Sequence, residues 1–403
     1  MTALTALLIL IVVMVIGVPI PLSFLASAAY ICFVNGTDHL MLFTYGFRVQ
    51  NTILLLTIPL FVMAGAVIDK GGIGEKLIEG LERFSKGSKV ALGTVTIVAC
   101  AIFGAVSGSA SATTSCIGSI MTPRLKENGY TAGHIGALLA SSGVLGIMIP
   151  PSILMILYAW GTGTSVLACF LATIVPGIIL IILFSLVNAW LVKHEGPESP
   201  EARAALEQML IDAQKKEAEK KLVKAEREKR KGGTSAIPAV LMPIFLLGGI
   251  YGGVFTTTEG AAFSVLYSLV IGIFYYRKID FPTFRKTLSQ SGETAGTIMV
   301  MLFMVSILSR LYMTENLPDT ILNTLTSISS NRIILLLMIN LFMIIIGMLM
   351  DDCSGTTLCG PILMPVMGAL GVTPVQFAAI LSVNIGIIPL RQTFDKAVCV
   401  GLF

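Results

Sequence analysis

Apolar runs close to the length of a bilayer crossing recur along this chain from one end to the other. They cover residues 4–20, 94–105, 167–191, 237–254, 260–274, 296–308 and 333–350. A helix that spans hydrocarbon needs about 20 apolar residues. Several of these runs fall short of that, which points to hairpins or broken helices among full spans. Charge is scarce to match: 12% of the residues are charged, against roughly a quarter in soluble domains. A soluble enzyme of this length needs more polar surface than that. Lipid offers the backbone no hydrogen-bond partners, so each segment must satisfy its own N–H and C=O groups. The expected fold is therefore all-α and polytopic, with about ten membrane elements.

Residues 1–20 lack the basic start and small-residue cleavage site of a secretory signal and read as a retained helix. The seven cysteines, Cys32, Cys100, Cys116, Cys169, Cys353, Cys359 and Cys399, form no CxxC pair and no Cys/His cluster. Neither a disulfide framework nor a transition-metal site is expected from them.

One stretch breaks the apolar pattern. Residues 193–235 form a hydrophilic connector, and 215–231 are almost entirely charged. Alternating Glu and Lys suit a solvated helix with i,i+4 pairs. Its basic residues place the connector in the cytoplasm by the positive-inside rule. A second basic loop, with Arg277, Lys278, Arg285 and Lys286, falls on the same side after two crossings. A third charged group, 69–89, reads as a further cytoplasmic loop carrying an amphipathic helix on the membrane surface. Because the basic residues lie in interhelical loops, the net charge of +4 reports topology, and no nucleic-acid partner is expected.

The connector separates a first repeat, 1–192, from a second, 236–403, and the two carry the same unusual module. In the first, GAVSGSASATTSC (104–116) is followed by a Met-Thr-Pro and then by Gly129-Tyr-Thr. In the second, GMLMDDCSGTTLC (347–359) is followed by a Met-Pro and then by Gly371-Val-Thr. Thr113, Thr114 and Cys116 fall on Thr356, Thr357 and Cys359 at one offset; after a one-residue gap, Gly129 and Thr131 fall on Gly371 and Thr373. A repeat of about 240 residues is too long for a solenoid and has the scale of the structural repeats of transporters.

A continuous membrane helix has no need of small polar residues at its centre. Gly and Ser lower helix propensity there, and exposed backbone in lipid is costly. The modules therefore read as re-entrant hairpins near 98–125 and 345–368, whose tips turn free helix ends and hydroxyls towards an ion or anion. A small-residue packing seam between helices is the alternative. The diproline Pro150-Pro151, after Gly143 and Gly146, interrupts a further helix and frees carbonyls for a hard cation. Asp351 and Asp352 lie in an otherwise uncharged region, as ion ligands or as a helix cap. Arg310, near the end of its run, either snorkels to the interface or pairs with a substrate carboxylate. Only His39, His134 and His194 could serve as a histidine base for a serine nucleophile, and no motif pairs one with a serine, so no enzyme is expected.

At these residues the chain resembles the large membrane subunit of tripartite ATP-independent periplasmic (TRAP) transporters. The matching stretches are IPLFVMAG (58–65), SGSA (107–110), GVLGIMIPPS (143–152), GVFTTTEGAA (253–262) and GMLMD (347–351). The resemblance implies inverted repeats, an elevator mechanism and sodium-coupled uptake of a small organic acid, such as a dicarboxylate or sugar acid, without ATP. It implies an inner-membrane location and two partners, a small membrane subunit and a periplasmic solute-binding protein. Na⁺ is then the coupling ion and no other cofactor is needed. By motif match, the first sodium site uses Ser107, Ser109 and backbone oxygens around Gly143 and Gly146; the second uses the Asp351 region and Thr356. The anion is expected between the tips, with Arg310, Thr113 and Ser354 as candidate contacts. Thr113 stands where many relatives carry an aspartate. After Asn384 the sequence departs from the family's Gly…Thr-Pro-Pro motif and ends at Phe403, so a shortened second repeat with an incomplete sodium site is expected. The alternatives to a working subunit are a non-functional truncated copy and, behind it, a passive anion channel.

Overall fold

The computed structural model describes residues 2–82, 88–194 and 235–386, and their regular structure is entirely helical. Nearly all of the charged connector, the orientation argued from it, and the expected shortening beyond Asn384 lie outside the described residues. In chain order the helices are α1 (Thr2–Val15), α2 (Ile20–Asn35), α3 (His39–Gln50), α4 (Thr57–Lys70), α5 (Ile73–Glu82), α6 (Lys89–Ser107), α7 (Ala110–Glu127), α8 (Ala132–Gly143) and α9 (Leu145–Met148). There follow α10 (Ile153–Thr162), α11 (Val166–His194), α12 (Ile237–Tyr251), α13 (Thr257–Val270), α14 (Phe281–Thr314), α15 (Leu317–Ile328), α16 (Arg332–Leu349), α17 (Asp352–Ala369) and α18 (Pro374–Gly386).

Six helical segments among the described residues are long and apolar enough to cross a membrane, with a seventh if Ala132–Met148 and Ile153–Thr162 make one broken crossing. Four further apolar helices among the described residues are shorter than a full crossing, Thr2–Val15, Ile20–Asn35, Ile237–Tyr251 and Pro374–Gly386, and a glycine turn sets the first of these breaks. The first apolar run, 4–20, is not one element: α1 stops at Val15, Gly17 adopts φ 94°, and α2 begins at Ile20. A positive φ of that size suits glycine, which has no Cβ to clash. Helix α2 then packs on α1, with the Ser27 hydroxyl donating to the Ala6 carbonyl at 2.8 Å.

The chain divides into two compact units. Among the described residues, one comprises 2–59, 153–173 and 292–386; the other comprises 60–82, 88–152, 174–194 and 235–291. In the first unit, α10 packs on α17 and α18. Tyr158 is fully buried there and donates its hydroxyl to the Pro374 carbonyl at 2.7 Å, while its ring meets Phe377 edge-on. Two asparagines join α16 to α18: Asn384 Nδ2 donates to Asn340 Oδ1 at 2.6 Å.

The second unit has a continuous apolar core. Ile97, Phe103, Ile117, Met121 and Leu139 supply its centre, and α6, α7 and α8 pack on one another around it. Helix α5 is amphipathic, as its sequence suggested, yet it does not lie on a lipid surface. Its apolar face, Ile73, Leu77 and Ile78, is buried against this core, where α5 meets α6 and α12. An apolar face already covered by protein has nothing left to insert in lipid. The ammonium of Lys278 pairs with Glu75 on the same helix. Nearby, the Tyr276 hydroxyl donates to the Ser235 carbonyl at 2.9 Å, and burial pushes its phenol up to about 12.

A three-helix pattern occurs once in each unit: α6, α7 and α8, then α16, α17 and α18. Helix lengths correspond closely, at 19, 18 and 12 residues against 18, 18 and 13. The second helix of each set closes on the same left-handed glycine turn. Gly129 has φ 79°, with Tyr130 N–H donating to the Leu125 carbonyl; Gly371 has φ 74°, with Val372 N–H donating to the Met367 carbonyl. These six-to-one bonds satisfy carbonyls that a helix end leaves without partners. A threonine then caps the third helix: Thr131 accepts from His134 N and Thr373 from Gln376 N.

Candidate functional site

In the second unit the chain reverses between α6 and α7 at Gly108, whose φ of 61° ends α6. Ser109 follows in an extended conformation and caps α7, accepting from Ala112 N. Three oxygens gather under this turn. The Ser107 hydroxyl lies 3.1 Å from that of Thr113, and Thr113 Oγ1 donates to the Ser109 carbonyl at 2.8 Å. Ser107 is 1% exposed and Thr113 is fully buried. A buried hydroxyl is retained only with partners, and here the partners are one another.

Helix α9 passes directly beneath. A Cβ at Gly146 would lie 2.8 Å from the Ser109 carbonyl oxygen and would press on Thr113, and a Cβ at Gly104 would strike the Gly146 backbone. These contacts require glycine at both positions, because only a bare backbone fits. Gly143, one turn earlier, faces Thr114, whose hydroxyl donates to the Ala110 carbonyl. Beyond α9, Pro150 and Pro151 have no N–H, so the carbonyls of Gly146 and Ile147 lose their helical donors. The buried Ser152 hydroxyl takes up Ile147 O at 2.5 Å. Ser107, Ser109, Thr113, Gly143 and Gly146 are thus brought together at one turn. They offer hydroxyl and carbonyl oxygens, the donors that suit a hard cation. Thr113, a candidate substrate contact in the sequence, turns its hydroxyl into this cluster.

In the first unit the corresponding turn joins α16 to α17 at Met350 and Asp351. Asp351 caps α17: Oδ2 accepts from the backbone N–H groups of Cys353 and Ser354, and Oδ1 accepts from the Ser354 hydroxyl. Ser354 is buried and also lies against the Met301 sulfur. Thr356 is fully buried and donates to the Asp352 carbonyl at 2.8 Å. Asp351, Asp352 and Cys353 bring one potential ligand atom each within 4.8 Å of one another. Helix capping engages Oδ2 and the Ser354 hydroxyl engages Oδ1, although a carboxylate keeps further lone pairs. Arg310 is not part of this cluster's contacts. It is exposed on α14, with its guanidinium 5.4 Å from the ring centre of Tyr45 on α3.

Three relationships were not anticipated from the sequence: the Gly104–Gly146 crossing, the Asn340–Asn384 pair, and basic residues at the base of each hairpin. Asn340 carried a signal, as a lone amide in the apolar run 333–350. The glycine crossing carried none, since it depends on which helices meet.

The family model of the tripartite ATP-independent periplasmic transporter, DctM component, matches residues 7–389. The isethionate TRAP transporter permease protein DctMQ of Oleidesulfovibrio alaskensis is 30% identical over 93% of this chain, which spans 56% of that relative's length. The C4-dicarboxylate TRAP transporter large permease protein DctM of Pseudomonas aeruginosa is 30% identical over 85% of this chain and 75% of its own. In fold, the chain is similar to the crystal structure of the Alcanivorax borkumensis YdaH transporter. The TM-score is 0.54 at 12% identity, over 91% of this chain and 81% of that one.

Proposed function

The chain belongs to the DctM-component family of tripartite ATP-independent periplasmic transporters, and from that membership we propose that it is the translocating subunit for sodium-coupled uptake of a small organic anion. It is an inner-membrane protein, with several helices able to span the bilayer, and its relatives are permease subunits. The names of those relatives specify isethionate and C4-dicarboxylates, and both are small organic anions at neutral pH. The proposed substrate class is a compact organic acid of that kind. The proposed partners are a small membrane subunit and a periplasmic solute-binding protein that delivers the acid.

One observation carries the sodium reading: the buried hydroxyls of Ser107 and Thr113 and the carbonyl of half-buried Ser109 gather against the glycine backbone of α9 at a helix break. Small hard cations bind best to carbonyl and hydroxyl oxygens at such discontinuities. In this reading Ser107, Ser109 and the freed carbonyl of Gly146 supply ligands, while Thr113 orients the two serines. Asp351 and Thr356 serve a second ion, with Asp351 holding the start of α17 in place. Alternating access by an elevator motion is proposed from family membership.

The test is uptake by proteoliposomes containing this chain, its small subunit and a loaded binding protein, with each component omitted in turn. Accumulation of labelled C4-dicarboxylate or isethionate that requires all three supports the proposal. Equal flux without the binding protein, rising in proportion to concentration, would identify a passive channel.

A further inference from the structure

Each hairpin opens with a cation on its first helical residue, Lys89 in α6 and Arg332 in α16. That position is unfavourable for positive charge, because the N-terminal end of a helix dipole is itself positive. Its occurrence in both hairpins therefore needs a cause outside the helix that carries it. The cause lies in the other arm. Lys89 Nζ donates to the Gly129 carbonyl at 2.6 Å, and Arg332 Nη2 donates to the Gly371 carbonyl at 3.3 Å. Gly129 and Gly371 are the left-handed residues that close α7 and α17, and they correspond in the sequence repeat. A cation there meets the negative end of the neighbouring helix and a carbonyl its own arm leaves free.

We propose that Lys89 and Arg332 are latches: positioning residues that close the base of each hairpin and so hold its tip in the geometry that binds cation. They act through the arms and touch neither ion nor substrate. The mechanics follow from the hairpin shape. The two arms are tied at the tip by a single turn, and a tie at the base removes their freedom to splay. The latches are unequal. Lys89 also lies 5.0 Å from the ring centre of Tyr130, whose hydroxyl donates to the Lys89 carbonyl at 2.8 Å and approaches Asn188 at 3.2 Å. Asn188 in turn donates to the Val90 carbonyl. Where the first base has Tyr130, the second has Val372, which offers no hydroxyl. The second hairpin thus has the weaker closure at its base. The part played by the latches in ion binding rests on the proposed function, whereas their closure of the arms does not.

Hydrogen exchange of the purified protein in lipid nanodiscs, read by mass spectrometry, tests the closure directly. Peptides covering 104–116 and 347–359 report the tips. In Arg332→Met, exchange at 347–359 should rise by about three- to tenfold, as expected for loss of a charge-assisted hydrogen bond, with 104–116 unchanged. In Arg332→Lys it should stay near the wild-type rate. Lys89→Met should act on 104–116 by a smaller factor, because Tyr130 remains, and Lys89→Arg should restore it. Wild-type exchange in both Met variants, or an equal rise throughout the protein, overturns the proposal. Should a Met variant not fold, the Gln variant, which keeps a polar stem, takes its place. In the uptake assay, Arg332→Met should raise the sodium concentration for half-maximal rate at an unchanged maximal rate. Absence of sodium-driven uptake in the wild type would defeat the transport reading and leave the exchange result to decide the latch.

Discussion

Ser107 and Thr113 face each other across the Gly108 turn with their hydroxyls 3.1 Å apart, and the same Thr113 hydroxyl donates to the Ser109 carbonyl. Replacing Thr113 by Val keeps the shape and removes the hydroxyl, leaving Ser107 without that buried partner. A cost of about 1–3 kcal/mol in stability is expected for stranding such a group. Thr113→Ser should restore most of it. Thermal unfolding of the detergent-solubilised protein checks the first effect, and the sodium dependence of uptake should shift in parallel.

The paired substitution Ser107→Ala and Ser109→Ala removes two proposed ligands at once. Sodium dependence should weaken sharply, with half-saturation rising by at least tenfold, or about 1.4 kcal/mol. Because Ser109 also caps α7, some loss of stability is expected, and uptake is compared at equal amounts of folded protein. Unchanged half-saturation would assign these serines to helix turning alone.

Gly146→Ala places a methyl 2.5 Å from the Thr113 hydroxyl and 2.8 Å from the Ser109 carbonyl oxygen. Overpacking of this kind costs about 1–3 kcal/mol, and loss of folded protein or of uptake is expected. Gly136, on α8, has open space around its Cβ position. Gly136→Ala should be neutral or stabilising, because alanine is the better helix former. The two variants, compared for melting temperature, separate a requirement at Gly146 from a general aversion to side chains.

Asp351 caps α17 by accepting from two backbone N–H groups. Asparagine is nearly as good a cap, whereas alanine lowers stability by about 0.5–2 kcal/mol. Asp351→Asn should therefore fold normally yet lose sodium coupling, and Asp351→Ala should lose both. Wild-type sodium dependence in the asparagine variant would make Asp351 a cap and nothing more.

Arg310 is exposed and rests over the Tyr45 ring. Contacts of this type contribute about 0.5–1 kcal/mol at exposed sites. Arg310→Ala should leave uptake within about threefold of wild type, in keeping with that energy. A KM for the organic acid raised by a hundredfold would show that the guanidinium meets the substrate carboxylate.

Much of this architecture was legible in the sequence because lipid enforces it. Low charge and recurring apolar runs dictate a helical membrane protein, and small polar residues at 107–114 and 350–357 mark where helices break. The correspondence of Gly129 and Gly371 was visible as well, since a left-handed closing turn selects glycine. What remained hidden depended on tertiary contact. The sequence of α5 reads as a surface helix, and only its burial against α6 and α12 shows otherwise. The run 4–20 looks continuous until Gly17 turns it. Asp351 reads first as an ion ligand and second as a cap, and the capping bonds are seen only once the turn at Met350 is in place. Lys89 reads as one of the loop charges of 69–89, and nothing in the sequence singles out Arg332, because their partners lie some 40 residues further along the chain.

The most direct measurement is uptake of the labelled organic acid into proteoliposomes with binding protein and small subunit present, under an inward sodium gradient. Concentrative, saturable uptake that collapses when a sodium ionophore dissipates the gradient, and that Ser107→Ala with Ser109→Ala shifts to higher sodium, is the expected result. Uptake of equal rate and extent with no sodium gradient would contradict it.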